Sequence, residues 1–479
     1  MTKVKKPPVR VRFAPSPTGF LHIGSARSAL FNWLFAKHHS DTFILRIEDT
    51  DKERSKPEYE QDIISGLEWL GVKWDEFYKQ SERGKIYKKY LEKLLASGRA
   101  FWCRHTPEEL EAEQSEQREK KEAPRHVCGF RSDQSLITNG QEGIIRLKID
   151  SDSTSTREIV FEDIIRGRIG FEKKLLGDIA IAKDLDTPLY NFAAAIDDLD
   201  MKVSHVIRGE DHISNTPKQL AIFEALGVEP PRYAHLPLIL GEDRSKLSKR
   251  HGATSVNQYK ELGYLPEALV NFLGLLGWTP PHFSAKTEAG ETPSEVFTKN
   301  QLIEWFSDLS KIHKSGAIFD IKKLNWLNAQ YIKMENDAGL ARLVRPFAEK
   351  HFGKQAEERV IKIAPLLRER LEYLDQVKEF HYFFKSPEYD ADLLVWRKSD
   401  KAGAKKALEL IAQAIPHGIA NHELDEIAEK HFGGDRGAVY WPLRAALSGE
   451  QFSADPVQIA GILGPEETQN RVKHALSLL

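Results

Sequence analysis

The stretch over residues 12–54, RFAPSPTGFLHIGSARSALFNWLFAKHHSDTFILRIEDTDKER, constrains the fold more tightly than any other part of the chain. Leading into it, Val9, Val11 and Phe13 alternate with Arg10 and Arg12, the period-two pattern of a strand. Pro15 and Pro17 stiffen the following loop and Gly19 closes it. His22-Ile23-Gly24-Ser25 then opens an apolar-striped helix on small residues, and residues 42–47 read as a second strand ending at Glu48-Asp49. A β-loop-α-β unit with glycine at the helix mouth is a phosphate-binding geometry. First-turn N–H groups lack intrahelical partners, and the helix dipole favours an anion there.

A chain of 479 residues is too long for one ordinary core, so about two to four domains are expected. A hydrophobic fraction of 41% and a charged fraction of 29% exclude a disordered or membrane-embedded chain. No apolar run approaches bilayer length, and the start MTKVKKPPVR lacks the apolar core of a signal peptide. Two cysteines argue against a disulfide framework and for a reducing compartment, so a cytoplasmic protein is expected. The net charge of −2 means that any nucleic-acid footprint is a local basic surface on a near-neutral protein.

Along the chain, residues 8–75 open a parallel sheet with crossover helices. Residues 76–125 read mostly helical: Tyr87, Tyr90, Leu91, Leu94 and Leu95 fall at three-to-four spacing, and Thr106-Pro107-Glu108-Glu109 is a helix start. Residues 144–149, 159–161 and 179–182 are strand-like patches, which makes 76–190 a mixed insertion. The sheet resumes with a helix at 190–198, a strand at 203–208, a helix at 216–226 and a strand at 235–240. Pro280-Pro281 and the polar run 284–294 mark a loop. Beyond residue 321 strand signals nearly vanish. Val360, Ile363, Leu367, Leu371, Leu374 and Val377 form one helical stripe, with amphipathic segments at 404–415, 422–431 and 455–461.

A second motif lies far downstream, Lys246-Leu247-Ser248-Lys249-Arg250. With PSPTG, HIGS and LRIEDTD it resembles the class I aminoacyl-tRNA synthetases, and within that class the bacterial glutamyl-tRNA synthetases. HIGS stands for the class's HIGH motif and KLSKR for its KMSKS loop. The resemblance covers essentially the whole chain and is most specific up to about residue 330. It implies an α/β fold: a class I Rossmann-like catalytic domain with an α+β insertion, followed by an all-α anticodon-binding region. The expected divisions are 1–75 and 191–250 for the catalytic halves, 76–190 for an insertion gripping the tRNA acceptor end, 251–320 for stem contacts and 321–479 for the anticodon. It implies glutamate, ATP with Mg²⁺, and tRNA(Glu), with tRNA(Gln) a further candidate, as substrates of a monomeric ligase.

The chemistry asks a carboxylate to attack the α-phosphate of ATP, which needs positioning and positive electrostatics on the phosphates. His22 at the helix mouth can donate to a phosphate oxygen, and Gly24 lets a nucleotide approach without a Cβ in the way. Lys246 and Lys249 supply mobile cations for the pyrophosphate. Alone, His22 would read as a surface histidine and KLSKR as a basic turn. Their combination, in matching strand-to-loop contexts, favours the catalytic reading. By resemblance Ser25 and Glu210 join the ATP side, with Asp211 and His212 beside them.

Glutamate presents an ammonium and two carboxylates, so its site wants a carboxylate and an arginine fork. By resemblance Arg12 and Arg208 lie near the substrate's side chain, Glu48 takes the ammonium, and Ala14, Ser16 and Tyr190 line the pocket. The default for a strand-end arginine is a surface ion pair; the flanking motifs reverse it. Ala194 stands where some members of the family place an asparagine.

Cys103-Arg104-His105 and His126-Val127-Cys128 offer four ligand types that suit tetrahedral zinc. Some family members carry zinc here on a Cys-x-Cys pair, from which this chain departs at Phe101. The bland alternative is two buried thiols and two surface histidines. Arg370, in LLRERLEYL, falls where some relatives use an arginine on the anticodon; a solvated helix face is the ordinary explanation. A glutaminyl enzyme would carry β-barrels in place of the helical residues 321–479, and a non-catalytic derivative would be expected to lose His22, Lys246 or Lys249.

Overall fold

The computed structural model describes residues 8–132, 143–149, 157–248, 250, 252–281, 295–417 and 419–479. It divides into two compact units: one runs to Lys260 and resumes over Pro266–Leu327, the other comprises Glu261–Leu265 and Asn328–Leu479.

The first unit is organised by a seven-stranded sheet. Its strands are β1 (Arg10–Phe13), β2 (Thr42–Ile47), β3 (Glu76–Lys79), β6 (Glu158–Asp163), β7 (Gly167–Glu172), β9 (His205–Gly209) and β10 (Arg232–Leu236). They stand in the order β3-β2-β1-β9-β10-β6-β7, with only the β6–β7 pairing antiparallel. Val11, Phe43, Ile44, Leu45 and Val206 are fully buried, as a parallel sheet covered on both faces requires. Helix α1 (Ile23–His38) follows β1 and is buried along most of its length, which is why its sequence is apolar on nearly every side. A second sheet joins β4 (Ala100–Cys103), β5 (Ile144–Leu147) and β8 (Ile179–Ala182) in antiparallel register. It packs with Tyr87, Leu91 and Leu94 and with Phe192 and Ile196 of the helix Tyr190–Asp200.

The main sheet takes in two pieces of the stretch expected to be a separate insertion. β3 begins at Glu76 and pairs with β2, and the β6–β7 hairpin adds to the free side of β10. The strand expected at 235–240 is two: β10 ends at Leu236, Pro237 cannot donate to a ladder, and β11 (Ile239–Leu240) pairs with β12 (Ala317–Ile318).

The second unit is built of helices, with no strand among its described residues. The expected stripe from Val360 to Val377 is interrupted. The helix Glu357–Arg370 stops, Leu371 and Tyr373 are extended, and Gln376 Oε1 accepts the Glu372 and Tyr373 N–H groups to start a fresh turn. Asp375 is buried there between His351 Nε2 at 2.8 Å, Lys378 Nζ at 3.0 Å and Lys350 Nζ at 3.3 Å. Burial alone would raise its pKa, but these hydrogen bonds outweigh it and hold the carboxyl at about 2. A carboxylate held that far below its unfolded value stabilises the fold by roughly 2 kcal/mol at neutral pH. Because the folded value is the depressed one, this contribution is present above the unfolded pKa and lost as pH falls through about 2. Asp375→Asn is therefore expected to melt earlier than wild type at pH 7, the gap closing as pH approaches 2. A gap that does not narrow on acidification would assign the effect to something other than this charge.

Candidate active site and candidate metal centre

The strand ends carrying Phe13, Ile47, Gly209 and Leu236 lie at one edge of the parallel sheet, the edge at which α/β folds bind ligands. A cavity of about 380 Å³ opens there. Among the residues lining it are Arg12, Ala14, His22, Gly24, Ser25, Glu48, Tyr190, Arg208 and Lys246, the residues that the motifs single out. Arg27, Asp211 and His212 line it as well.

His22 is the N-cap of α1. The Gly24 N–H donates to its Nδ1 at 3.1 Å. With Nδ1 an acceptor, the neutral ring carries its proton on Nε2 as a donor. Burial, then the nearby Lys246 charge, lowers the His22 pKa and keeps the ring neutral. A Cβ on Gly24 would meet only His22 Nδ1, at 3.5 Å, so the space at the helix mouth is open. The return limb of the KLSKR loop is bonded to this segment: Ile23 N donates to Thr254 O at 2.9 Å and Val256 N to Leu21 O at 3.0 Å. The Lys246 ammonium lies 3.5 Å from Asp211 Oδ2 at the exposed rim. Lys249 lies outside the described residues.

Beneath the rim is a buried charge network. Arg12 Nε and Nη2 donate to Asp198 at 3.0 and 3.4 Å, and Arg46, fully buried, reaches Asp198 at 2.8 Å and Glu48 at 3.0 Å. Asp197 is held by Arg83 Nε at 2.7 Å and by Gln80 and Tyr87, each at 2.8 Å. Burial would raise the Asp198 pKa, yet Arg12 and Arg46 bring it down. At Glu48 burial wins over Arg46 and Arg12, and its pKa is raised. Burial, with Glu48 next, pushes the Tyr190 phenol up to about 12, so it remains a hydroxyl 3.1 Å from His212 Nδ1.

Arg208 is treated differently. It is 7% exposed, and its partners are all neutral: His235 Nε2 at 3.2 Å, Gln219 Oε1 at 2.9 Å, Thr216 Oγ1 at 2.8 Å and the His212 carbonyl at 3.4 Å. Its pKa is lowered, by burial first. A buried guanidinium ringed by neutral acceptors is an uncompensated positive charge at the cavity, suited to an anionic group of a ligand.

Two expected residues are elsewhere. Ser16 is exposed in the PSP loop, and Glu210 pairs with Arg166 and accepts the Leu238 N–H at 2.7 Å. Neither lines the cavity. Arg27 was not expected. Its Nη groups donate to the Pro237 and Leu276 carbonyls while Nε has no partner, and burial lowers its pKa to about 10. The available signal was an arginine in the helix that HIGS opens, one turn past Gly24 and flanked by small and apolar residues. Arg370 is exposed at the end of its helix, whereas Arg368 is paired with Asp337 at 2.9 Å.

The four metal-ligand candidates converge. One ligand atom from each of Cys103, His105, His126 and Cys128 lies within 4.8 Å of all the others. Cys103 Sγ is 3.4 Å from His105 Nδ1 and 3.6 Å from His126 Nε2, and Cys128 Sγ is 3.6 Å from His105 Nδ1. Tetrahedral zinc with its usual bond lengths sets ligand atoms roughly 3.3–3.8 Å apart, so the donor set and these three distances suit that ion. Glu113 Oε2 accepts from His126 Nδ1 at 2.5 Å, the carboxylate support that metal-binding imidazoles commonly have.

The family of tRNA synthetases class I (E and Q), catalytic domain, matches residues 8–326, and an anticodon binding domain matches 339–476. A glutamate–tRNA ligase of Carboxydothermus hydrogenoformans is 42% identical, covering 97% of this chain and 99% of its own. One of Aquifex aeolicus is also 42% identical, covering 98% and 99%. A crystal structure of a glutamate tRNA ligase from Elizabethkingia meningosepticum in complex with its amino acid is similar at a TM-score of 0.83 and 33% identity, covering 99% of this chain and 100% of that one. The pocket at the sheet edge, the HIGS and KLSKR segments around it and these matches agree: the chain belongs to the class I tRNA synthetases of the glutamate and glutamine family.

Proposed function

We infer that the chain is a glutamate–tRNA ligase. It joins the α-carboxylate of glutamate to the α-phosphorus of ATP, releasing pyrophosphate, and then transfers the glutamyl group from AMP to the terminal adenosine of tRNA. The relatives bearing that name support the reaction, and the buried, uncompensated Arg208 carries the choice of substrate. Glutamate's γ-carboxylate restores neutrality beside Arg208, and a glutamine carboxamide does not. Arg12 is already matched by Asp198, so it orients the pocket and shares the side-chain end with Arg208. Glu48 receives the ammonium, whose arrival favours its ionised form. His22 Nε2–H, the first turn of α1 and Lys246 gather on the phosphates, with Ser25 beside them and Lys249 on the same motif. Mg²⁺ accompanies ATP and neutralises phosphate charge.

Charging purified tRNA(Glu) and tRNA(Gln) separately with labelled glutamate tests this. The expected result is charging of tRNA(Glu). Glutamine incorporation without glutamate incorporation would reverse the reading of Arg208. Charging of tRNA(Gln) as well would mean that Arg370, which we assign to the anticodon, does not exclude it.

We further assign Cys103, His105, His126 and Cys128 to a structural zinc ion, which would tie the end of β4 to the 126–128 segment. Metal analysis of the purified protein is expected to find about one zinc per chain, matching a closed four-ligand site, and Cys103→Ser is expected to lose it and melt earlier. Metal-free protein that melts normally would favour two buried thiols. No helix among the described residues is long and apolar enough to cross a membrane. Both cysteines are free of disulfides, in keeping with a cytoplasmic enzyme, and the family resemblance favours a monomer.

A further inference from the structure

Arg208 is held by a buried chain of hydrogen bonds that begins on another strand. Asp163, the last residue of β6, is 3% exposed, and His235 of β10 is fully buried. Asp163 Oδ2 lies 2.7 Å from His235 Nδ1 and also accepts the His235 backbone N–H at 3.0 Å. Asp163 Oδ1 accepts from Ile165 N at 3.0 Å and from Arg166 N at 2.8 Å, so the carboxylate is fixed in orientation. A carboxylate only accepts, so the His235 proton sits on Nδ1, and Nε2 presents a lone pair. That lone pair faces two groups at 3.2 Å, Arg208 Nε and Thr216 Oγ1. Receiving the hydroxyl proton of Thr216 leaves that oxygen's own lone pairs for Arg208 Nη2 at 2.8 Å. Tyr233 stacks parallel to the His235 ring, with the Arg208 guanidinium carbon 5.5 Å from its centroid. Burial foremost, with Arg208 adding to it, keeps His235 neutral against the pull of Asp163.

We propose that Asp163 and His235 are positioning residues for glutamate selection: Asp163 fixes the tautomer of His235, and that tautomer aims Arg208 at the substrate's side-chain carboxylate. The inference rests on the reading of Arg208 given above. The opposite tautomer would turn an Nε2–H toward the Arg208 Nε–H, two donors face to face in a buried site, and would leave Arg208 without its innermost acceptor. The hairpin β6–β7 thereby contributes to substrate choice although its side chains do not line the pocket.

The test uses the full-length enzyme with tRNA present. In Asp163→Asn the carboxamide oxygen can keep the backbone bonds of Ile165 and Arg166 while its NH₂ takes the place of Oδ2, which gives up the bond from the His235 backbone N–H and, facing His235 Nδ1, favours the proton on Nε2. The expected result is a rise of about 10- to 100-fold in the KM for glutamate, with the KM for ATP within about twofold of wild type. Adding His235→Gln to Asp163→Asn should restore part of the glutamate affinity. The glutamine Oε1 can stand near the position of Nε2 and accept from Arg208 without any tautomer to set, a recovery that a purely structural role for Asp163 does not predict. Nitrogen NMR of His235 should show Nδ1–H in wild type and Nε2–H in Asp163→Asn. An Nε2–H tautomer in wild type overturns the proposal even if the variant fails to fold. So does an unchanged glutamate KM in Asp163→Asn, or a rise shared equally with ATP. Arg208→Gln separates the two levels. If it impairs glutamate binding while Asp163→Asn does not, only the relay is wrong; if it has no effect, the reading of Arg208 falls with it.

Discussion

Arg208→Gln is expected to raise the KM for glutamate by about two to three orders of magnitude, because losing one member of a buried charge pair costs about 2–5 kcal/mol and each 1.4 kcal/mol is tenfold. The size follows from what surrounds the guanidinium. It is 7% exposed, and its four hydrogen-bond acceptors are neutral, so in the proposed reading the incoming γ-carboxylate is its charge partner. Removing the cation leaves that carboxylate desolvated and unpaired. The fold should tolerate the change, since a glutamine amide can still donate to Gln219 or Thr216 and the unliganded protein sheds an uncompensated buried charge. Calorimetry with glutamate and separate KM values for glutamate and ATP make the check. A loss confined to glutamate supports the assignment, together with a falling preference for glutamate over glutamine. An unchanged glutamate KM would move side-chain recognition to Arg12, which is already bound by Asp198.

How far the sequence revealed this site depended on the range of the interaction. HIGS, RIEDTD and the strand before them were legible because a strand, a loop and a helix mouth are consecutive in sequence, and the helix start needs only His22 and Gly24. Arg12 was legible as a pocket residue, but its partner Asp198 is 186 positions away and carries no local signal. The Asp163–His235 contact spans 72 positions and was invisible for the same reason. The β6–β7 hairpin reads as strands in any setting. Which sheet it joins is decided by the open edge of β10, not by its own pattern. In the second unit, periodicity identified a helical region but carried the stripe through Leu371, where Gln376 caps a new turn. The helices Gly437–Ser448 and Pro465–Leu478 stand out less by periodicity. The first has Pro442 inside it and the second a polar composition, and both weaken an apolar stripe. The four zinc-ligand candidates were the opposite case, paired locally at 103–105 and 126–128 and brought together by the end of β4.

Lys246→Ala is expected to slow glutamyl-adenylate formation by about 10²–10³-fold, the usual cost of deleting one group aimed at charge that develops in a transition state. Lys246 lines the pocket mouth, is mostly exposed, and has the single ion-pair partner Asp211, at 3.5 Å, among the described residues. An exposed pair of this kind contributes about 1 kcal/mol or less to folding, so the melting temperature should scarcely move. In the reaction the negative charge grows on the leaving pyrophosphate. A lysine loosely held at the rim can exchange Asp211 for those oxygens as the bond to the α-phosphorus breaks. Glutamate sits at the other end of the cavity against Arg208 and Glu48 in this reading, so its KM should change little. The two half-reactions separate the role further. Transfer of a glutamyl group from preformed adenylate to tRNA releases AMP and involves no pyrophosphate, so in single-turnover experiments the variant should transfer at nearly the wild-type rate. Pyrophosphate exchange and transfer measured on the same preparation give the decisive ratio. Loss of exchange with transfer retained places Lys246 on the leaving group. Equal loss of both would mean that the substitution disturbs the loop, whose return limb is bonded to Leu21 and Ile23 beside His22. Unimpaired exchange would remove Lys246 from the catalytic set.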